Sequence, residues 1–218
     1  MTRPAPLALL ALALALALAG CGAVQGVRSH LPPREPVAGP EDKAYAELRD
    51  VASRRARLYD GFVHRADLNG TWLSPEVRQA GTRRLADWQS WGPQELEAAL
   101  QADRAEAEKG EQFLLALYTA DRKHNDLADQ GSIWRVVLDD GSLQVTATTV
   151  ELVPPDANLR QLFPYIGPFD VVYRARLAWT GAPLAGRPFS LQVRGSLGAL
   201  VLDFGPKGRR AERPAQAP

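Results

Sequence analysis

FDVVYRARLAW, residues 169–179, decides how the chain is read: Phe169, Val171, Tyr173, Ala175, Leu177 and Trp179 are apolar, while Asp170, Arg174 and Arg176 fall between them. Successive side chains leave a strand on opposite faces, so this period of two describes a strand with one buried and one wet face, as antiparallel sheets have. Working outward, 113–119, 133–138, 143–153, 189–195 and 197–204 read as further strands, and 60–73 as an earlier one in which Phe62, Ala66, Leu68 and Trp72 face inward. Asp139-Asp140-Gly141-Ser142 breaks two of them, and Asp-Gly supplies the positive backbone angles that a tight hairpin needs.

Helices are expected in two places. Ala44, Leu48, Val51, Ala52 and Leu58 recur near helical spacing over 41–59. Ser74-Pro75-Glu76 supplies a cap, a first-turn proline and a first-turn acid, and Val77, Gly81, Leu85 and Trp88 give that helix an apolar side. Pro93 opens another helix after Gly92, and Gly110 closes it. With no repeated strand-helix-strand crossover, the expected fold is mainly β within the α+β class. It is an antiparallel β-sandwich of about seven strands, with an N-terminal helix and a helical hairpin inserted at 74–110 between the first two strands. An open antiparallel sheet packed on the helices is the runner-up.

The N-terminus reads as an address. One charge, Arg3, precedes an unbroken Leu/Ala run from Leu7 to Ala19, the layout of a signal peptide. That run falls short of the roughly 20 apolar residues a membrane span needs. It ends in Leu18-Ala19-Gly20-Cys21, which resembles the lipobox of bacterial lipoproteins. The resemblance covers this segment alone, and all four positions fit. It implies that the thiol of Cys21 receives diacylglycerol, that a signal peptidase recognising Leu18, Ala19 and Gly20 removes 1–20, and that the new amino group is acylated. Cys21 is the only cysteine, so no internal disulfide can form, and lipidation accounts for a lone thiol in an exported chain. Gly22 stands where an Asp resembles the signal for inner-membrane retention, which favours delivery to the outer membrane.

The lipidated tether is expected over 21–40, the folded domain over 41–204, and a solvated, disordered tail over 205–218, where Lys207, Arg209, Arg210 and Arg213 cluster. The whole chain has 26 basic and 25 acidic residues; losing Arg3 with the leader leaves the mature chain formally neutral. That balance carries no signature of a nucleic-acid partner.

Chemistry-bearing patterns are sparse. His30, His64 and His124 form no metal-ligand spacing, so no metal site is expected and no cofactor beyond the covalent lipid on Cys21. The polar loop at 121–129 holds three acids, His124 and Asn125, but its spacing departs from calcium loops, and a solvated turn is the simpler reading. Arg194-Gly195-Ser196-Leu197-Gly198 departs from the Gly-x-Ser-x-Gly elbow and lies between strands, so Ser196 reads as a turn residue. Asp139 and Asp140 are explained by their turn. His64 and Asp67 point to opposite faces if their strand is regular. No catalytic residue is assigned.

Aromatic side chains anchor interfaces or stack on sugars. Trp72, Trp88, Trp134 and Trp179 fall on expected apolar faces, whereas Trp91 sits between two helices. The candidate binding surface is therefore Trp91 with Phe163 and Tyr165 of the loop at 163–168, and His124 with Asp126 of the loop at 121–129. The function expected from these readings is a lipid-anchored envelope protein that binds an envelope protein or serves as an accessory subunit. Glycan or peptidoglycan binding, which needs two coplanar exposed aromatics, and an envelope hydrolase centred on the loop at 121–129 with His124 are the alternatives.

Overall fold

A computed structural model describes residues 40–205. The expected leader with Leu18, Ala19, Gly20 and Cys21, the expected tether with His30 as far as residue 39, and the expected tail from residue 206 lie outside the described residues. The described elements run α1 (Pro40–Val51), β1 (Ser53–Asp60), β2 (Val63–Trp72), α2 (Pro75–Gln89), α3 (Pro93–Ala107), β3 (Glu111–Thr119), β4 (Trp134–Asp139), β5 (Gln144–Thr146), β6 (Thr149–Leu152), α4 (Ala157–Leu162), β7 (Val171–Leu177), β8 (Ser190–Gly195) and β9 (Gly198–Asp203).

These strands form two antiparallel sheets, one ordered β1-β2-β3-β7-β6 and the other β5-β4-β8-β9. The chain is thus α+β, mostly β, and sandwich-like. Between the sheets lie Leu68, Phe113, Leu115, Leu117, Trp134, Tyr173, Leu177, Leu191 and Leu202. Burying each such side chain contributes about 1.5–3 kcal/mol. A second cluster, with Tyr45, Val77, Leu114, Ala116, Phe163 and Val172, fills the space between the outer face of the five-stranded sheet and the helices. Strand β3 serves both cores: its odd-numbered residues face the other sheet and Leu114 and Ala116 face the helices, so it is continuously apolar over 113–117.

Among the described residues nine strands replace the expected seven, for two local reasons. The helix expected over 41–59 stops at Val51, and Ser53–Asp60 pairs along β2 instead. In SRRARLYD, Ala56 and Leu58 alternate with Arg55 and Arg57, a period of two that overlaps helical spacing over so short a run. Asp60-Gly61 decides the matter, with Gly61 at φ +57° turning the chain into β2. Phe62, expected to face inward, is fully exposed at the tip of that hairpin.

The second reason is at 143–153, expected as one strand. Ala147 N–H bonds Val136 O at 2.9 Å in the four-stranded sheet, and the next residue, Thr148, bonds Arg176 O at 2.8 Å in the five-stranded one. The chain changes sheets there, so one apolar run becomes β5 and β6 in different layers.

The helical hairpin starts as its sequence dictates, with Ser74 Oγ accepting from Val77 N–H at 3.4 Å and Pro75 in the first turn. It joins β2 to β3. Tyr45, Leu48 and Ala52 turn α1 onto the sheet, and the ring of Tyr45 lies 3.7 Å from where a side chain at Gly81 would begin. Ala44 and Val51, expected on the buried face of that helix, are exposed.

Candidate binding surface at the end of the five-stranded sheet

The helices cover only part of the outer face of the five-stranded sheet. At the end where β1 turns into β2, β3 stops and β7 begins, the face is open, and sequence features there converge. The register of β1 on β2 slips by one between Leu58 and Tyr59, leaving Arg65 as an extra residue in β2. Such a bulge re-aims the side chains beyond it. His64 consequently joins the outer face with Asp67, contrary to the opposite-face expectation for a regular strand. Its ring stacks on Tyr118 of β3 at 5.7 Å with planes 12° apart, and Tyr59 leans on its other side at 5.1 Å.

Asp67 anchors the polar side of this row. Arg55 Nε donates to its Oδ1 at 2.8 Å and a second guanidinium nitrogen of Arg55 donates to Oδ2, while Arg57 Nε lies 3.4 Å from Oδ2. Burial works to raise the Asp67 pKa, but the Arg55 hydrogen bonds and the charges of Arg55, Arg57 and His64 outweigh it and hold the carboxyl below its ordinary value. A depressed carboxylate pKa means that the stabilisation is present above the unfolded-state value and disappears as pH falls through the lower folded-state value. Asp67→Asn is therefore expected to cost about 1–2 kcal/mol near neutral pH. In urea melts the gap to the parent chain should close as the pH is lowered into the acid range; a gap constant from neutral to strongly acid pH would contradict this role.

Beside the row, Tyr118, Arg122, Asn125, Phe169 and Asp170 line an open cleft of about 610 Å³. Phe169 is 69% exposed, and Tyr59 and Val63 are each more than half exposed. With Phe62 at the hairpin tip, these side chains form an aromatic and apolar end to the sheet. None of them belongs to the binding surface expected from sequence. The Asp60-Gly61 turn was the signal that places Phe62 and Tyr59 outside.

The loop at 121–129 borders this cleft and is held rigidly. Asn125 Nδ2 donates to Leu117 O at 2.8 Å, and the Tyr173 hydroxyl donates toward both Asn125 O at 2.8 Å and Asn125 Oδ1 at 2.9 Å. Burial pushes the Tyr173 pKa up to about 12, so the hydroxyl remains a donor throughout the physiological range. Trp134 Nε1 donates to His124 O at 2.6 Å. Asp126 spends both oxygens closing the loop, accepting from Ser132 Oγ at 3.0 Å and Ile133 N–H at 3.3 Å. Asp126 is thus a structural clasp, and His124, partly buried, contributes its backbone carbonyl to the core. Among the described residues no group of three or more His, Cys, Asp or Glu is placed to hold a metal ion.

The remaining expected surface residues lie elsewhere. Phe163 is 7% exposed and packs against Tyr165, whose hydroxyl shares a 2.7 Å hydrogen bond with Thr71 Oγ1. Both belong to the helix-side core, not to a surface, because α4 and the two prolines fold the loop back onto the sheet. Burial raises the Tyr165 pKa well above its ordinary value. Trp91 is partly buried, with Nε1 donating to Gln89 Oε1 at 2.9 Å; Trp88, expected in the core, is the more open of the two and carries the Arg84 guanidinium 5.4 Å from its ring centre. Ser196 lies in the two-residue turn between the paired Gly195 and Gly198, and Asp139 and Asp140 accept backbone N–H groups within their own turn.

No protein-family model matches the chain, and comparison with curated proteins finds no match. Among solved structures, the chain is similar to a novel protein of unknown function from Burkholderia pseudomallei K96243, with 14% identity over 75% of this chain and 82% of that one and a TM-score of 0.38.

Proposed function

We propose that this chain is a bacterial envelope lipoprotein, anchored through lipid on Cys21 and delivered to the outer membrane, whose domain is a non-catalytic module that binds another envelope protein. The lipobox-like Leu18-Ala19-Gly20-Cys21 supports the anchor. The observation that carries the binding role is the grouping of exposed Tyr59, Phe62, Val63 and Phe169 at one end of the five-stranded sheet. Apolar surface concentrated at one place, with arginines and carboxylates around it, is the composition of a protein contact: aromatic anchors supply the energy and charges the register.

Two other readings carry less weight. In a glycan site aromatic faces lie open to the sugar, but His64 and Tyr118 turn their faces to each other. A hydrolase centred on the loop at 121–129 needs free polar groups, whereas Asn125 and Asp126 are committed to internal hydrogen bonds.

The test is crosslinking in intact cells, comparing the parent chain with a Phe62→Ser/Phe169→Ser double variant at matched abundance. Both side chains are exposed, so the variant should keep its stability to within about 0.5 kcal/mol. Loss of one abundant protein adduct, by about tenfold or more, is the expected result for removal of two interface anchors. Adducts unchanged by the double variant, or recovery of glycan alone, would refute it.

A further inference from the structure

We propose that a second, separate cleft binds a single-chain amphiphile, an acyl chain carrying an anionic head. This cleft, of about 670 Å³, opens where the end of α1 and the start of α2 meet the segment at 184–189 and the end of β9. Its size and composition are those of a small-molecule site, mostly apolar with a few polar groups at the edge. The proposal stands apart from the aromatic end of the five-stranded sheet and does not depend on it.

The walls offer carbon and little else. Trp72, Val77, Leu184, Phe189 and Phe204 line the cleft, and Val51, 67% exposed, stands at its mouth. The polar atom of Trp72 is already satisfied, Nε1 donating to Glu111 Oε2 at 2.7 Å, and its ring meets Phe189 edge-on at 5.2 Å. Phe189 in turn stacks on Phe204 at 4.8 Å with planes 12° apart. These interlocking rings form a stiff apolar wall, the kind of surface along which a hydrocarbon chain loses its contact with water.

Charge at the edge selects the head group. Arg54, Arg187 and Glu76 line the cleft; Arg187 lies 4.0 Å from Asp140 Oδ2, which leaves Arg54 as the cation there for a head group. Arg54 is fixed there: Nε donates to Asp203 O at 2.6 Å, Nη1 donates to Val51 O at 2.8 Å and Ser53 O at 2.7 Å, and the guanidinium lies 5.3 Å from the centre of the Phe204 ring. These acceptors are neutral carbonyls, and among the described residues no carboxylate forms an ion pair with Arg54, whose charge stands beside an apolar cleft. A carboxylate or phosphate at the end of an acyl chain complements it. The sequence that follows Gly205 is a poor occupant by comparison: PKGRRAERPAQAP has no large apolar side chain, and its Lys207, Arg209, Arg210 and Arg213 carry the same charge as Arg54.

The experiment uses the full chain with Cys21→Ser, so that no acyl group of its own is attached, and isothermal titration with dodecanoate and with dodecyltrimethylammonium, which share a tail and differ in head charge. Saturable binding of one dodecanoate per chain is expected, at least about tenfold tighter than the cationic probe. Val51→Asp places a carboxylate at the exposed mouth without touching the core. It should weaken dodecanoate by about tenfold or more and abolish the preference between heads, while Phe62→Ser leaves both affinities unchanged. Absence of saturable binding below the micelle concentration would overturn the proposal. So would equal affinity for the two probes, binding indifferent to Val51→Asp, dodecanoate binding only after removal of 206–218, or a self-associated chain in which the cleft is closed by a second copy.

Discussion

Trp134→Ala is expected to lower folding stability by about 3–5 kcal/mol, among the largest losses a single truncation can produce in this domain. Trp134 is 1% exposed and sits between the two sheets with Leu68, Leu117 and Tyr173 around the same core. Its removal leaves a cavity and also strips His124 O of its donor, so the loop at 121–129 loses one of its two attachments to buried aromatic residues. The result is read from urea unfolding by circular dichroism at equal protein concentration. A loss below about 1 kcal/mol, the range of surface changes, would mean that the two sheets are not closed over this side chain. The loop should loosen at the same time, with amide exchange at residues 123–126 rising further than at β8, which keeps its partners on both sides.

Cys21→Ser is expected to abolish attachment to the membrane altogether. A thioether needs a sulfur nucleophile, and with two or three acyl chains on one residue the parent chain should remain on the membrane through washing, since a single chain binds only reversibly and a second signal makes anchoring stable. Among the described residues no helix is long and apolar enough to cross a membrane. Cells fed an alkyne-tagged palmitate report the outcome directly: label on the parent chain, none on the variant, and the variant in the soluble envelope fraction. Retention of the unlabelled variant on membranes would show that the anchor lies elsewhere.

The layering of this fold was legible in its alternating segments. Tyr173, Ala175 and Leu177 read as the buried side of a strand, and they lie in the core between the sheets; Ser74-Pro75 reads as a helix start, and it caps one. What escaped reading were places where two periods coincide or a turn interrupts a run. Arg54 to Leu58 satisfies helical and strand spacing alike, and only pairing along β2 chooses between them. The sheet change at Ala147 and Thr148 depends on which carbonyls lie within reach, information that exists only once both sheets are formed.

Less of the binding surface could be read. Trp91 reads as open because it lies between two helices, and Phe163 and Tyr165 because their loop is aromatic and stiffened by two prolines, but α4 folds Phe163 and Tyr165 into the helix-side core. His124 and Asp126 sit in a polar loop that proved to be fastened by Tyr173, Trp134, Ser132 and Ile133. The exposed aromatics come instead from strand ends and a hairpin tip. Their neighbourhood depends on the bulge at Arg65, and a bulge has no period to betray it.

The most direct measurement is site-specific photocrosslinking in living cells, with a photoreactive residue at Phe62 in one strain and at Val201 of β9 in another, each with Cys21 intact or replaced by Ser. A partner bound at the end of the five-stranded sheet gives one discrete adduct from position 62, none from position 201, and loss of that adduct with Cys21→Ser. Equal adducts from both positions, or none from position 62 in the lipidated chain, would contradict a membrane-anchored module that binds through its exposed aromatic end.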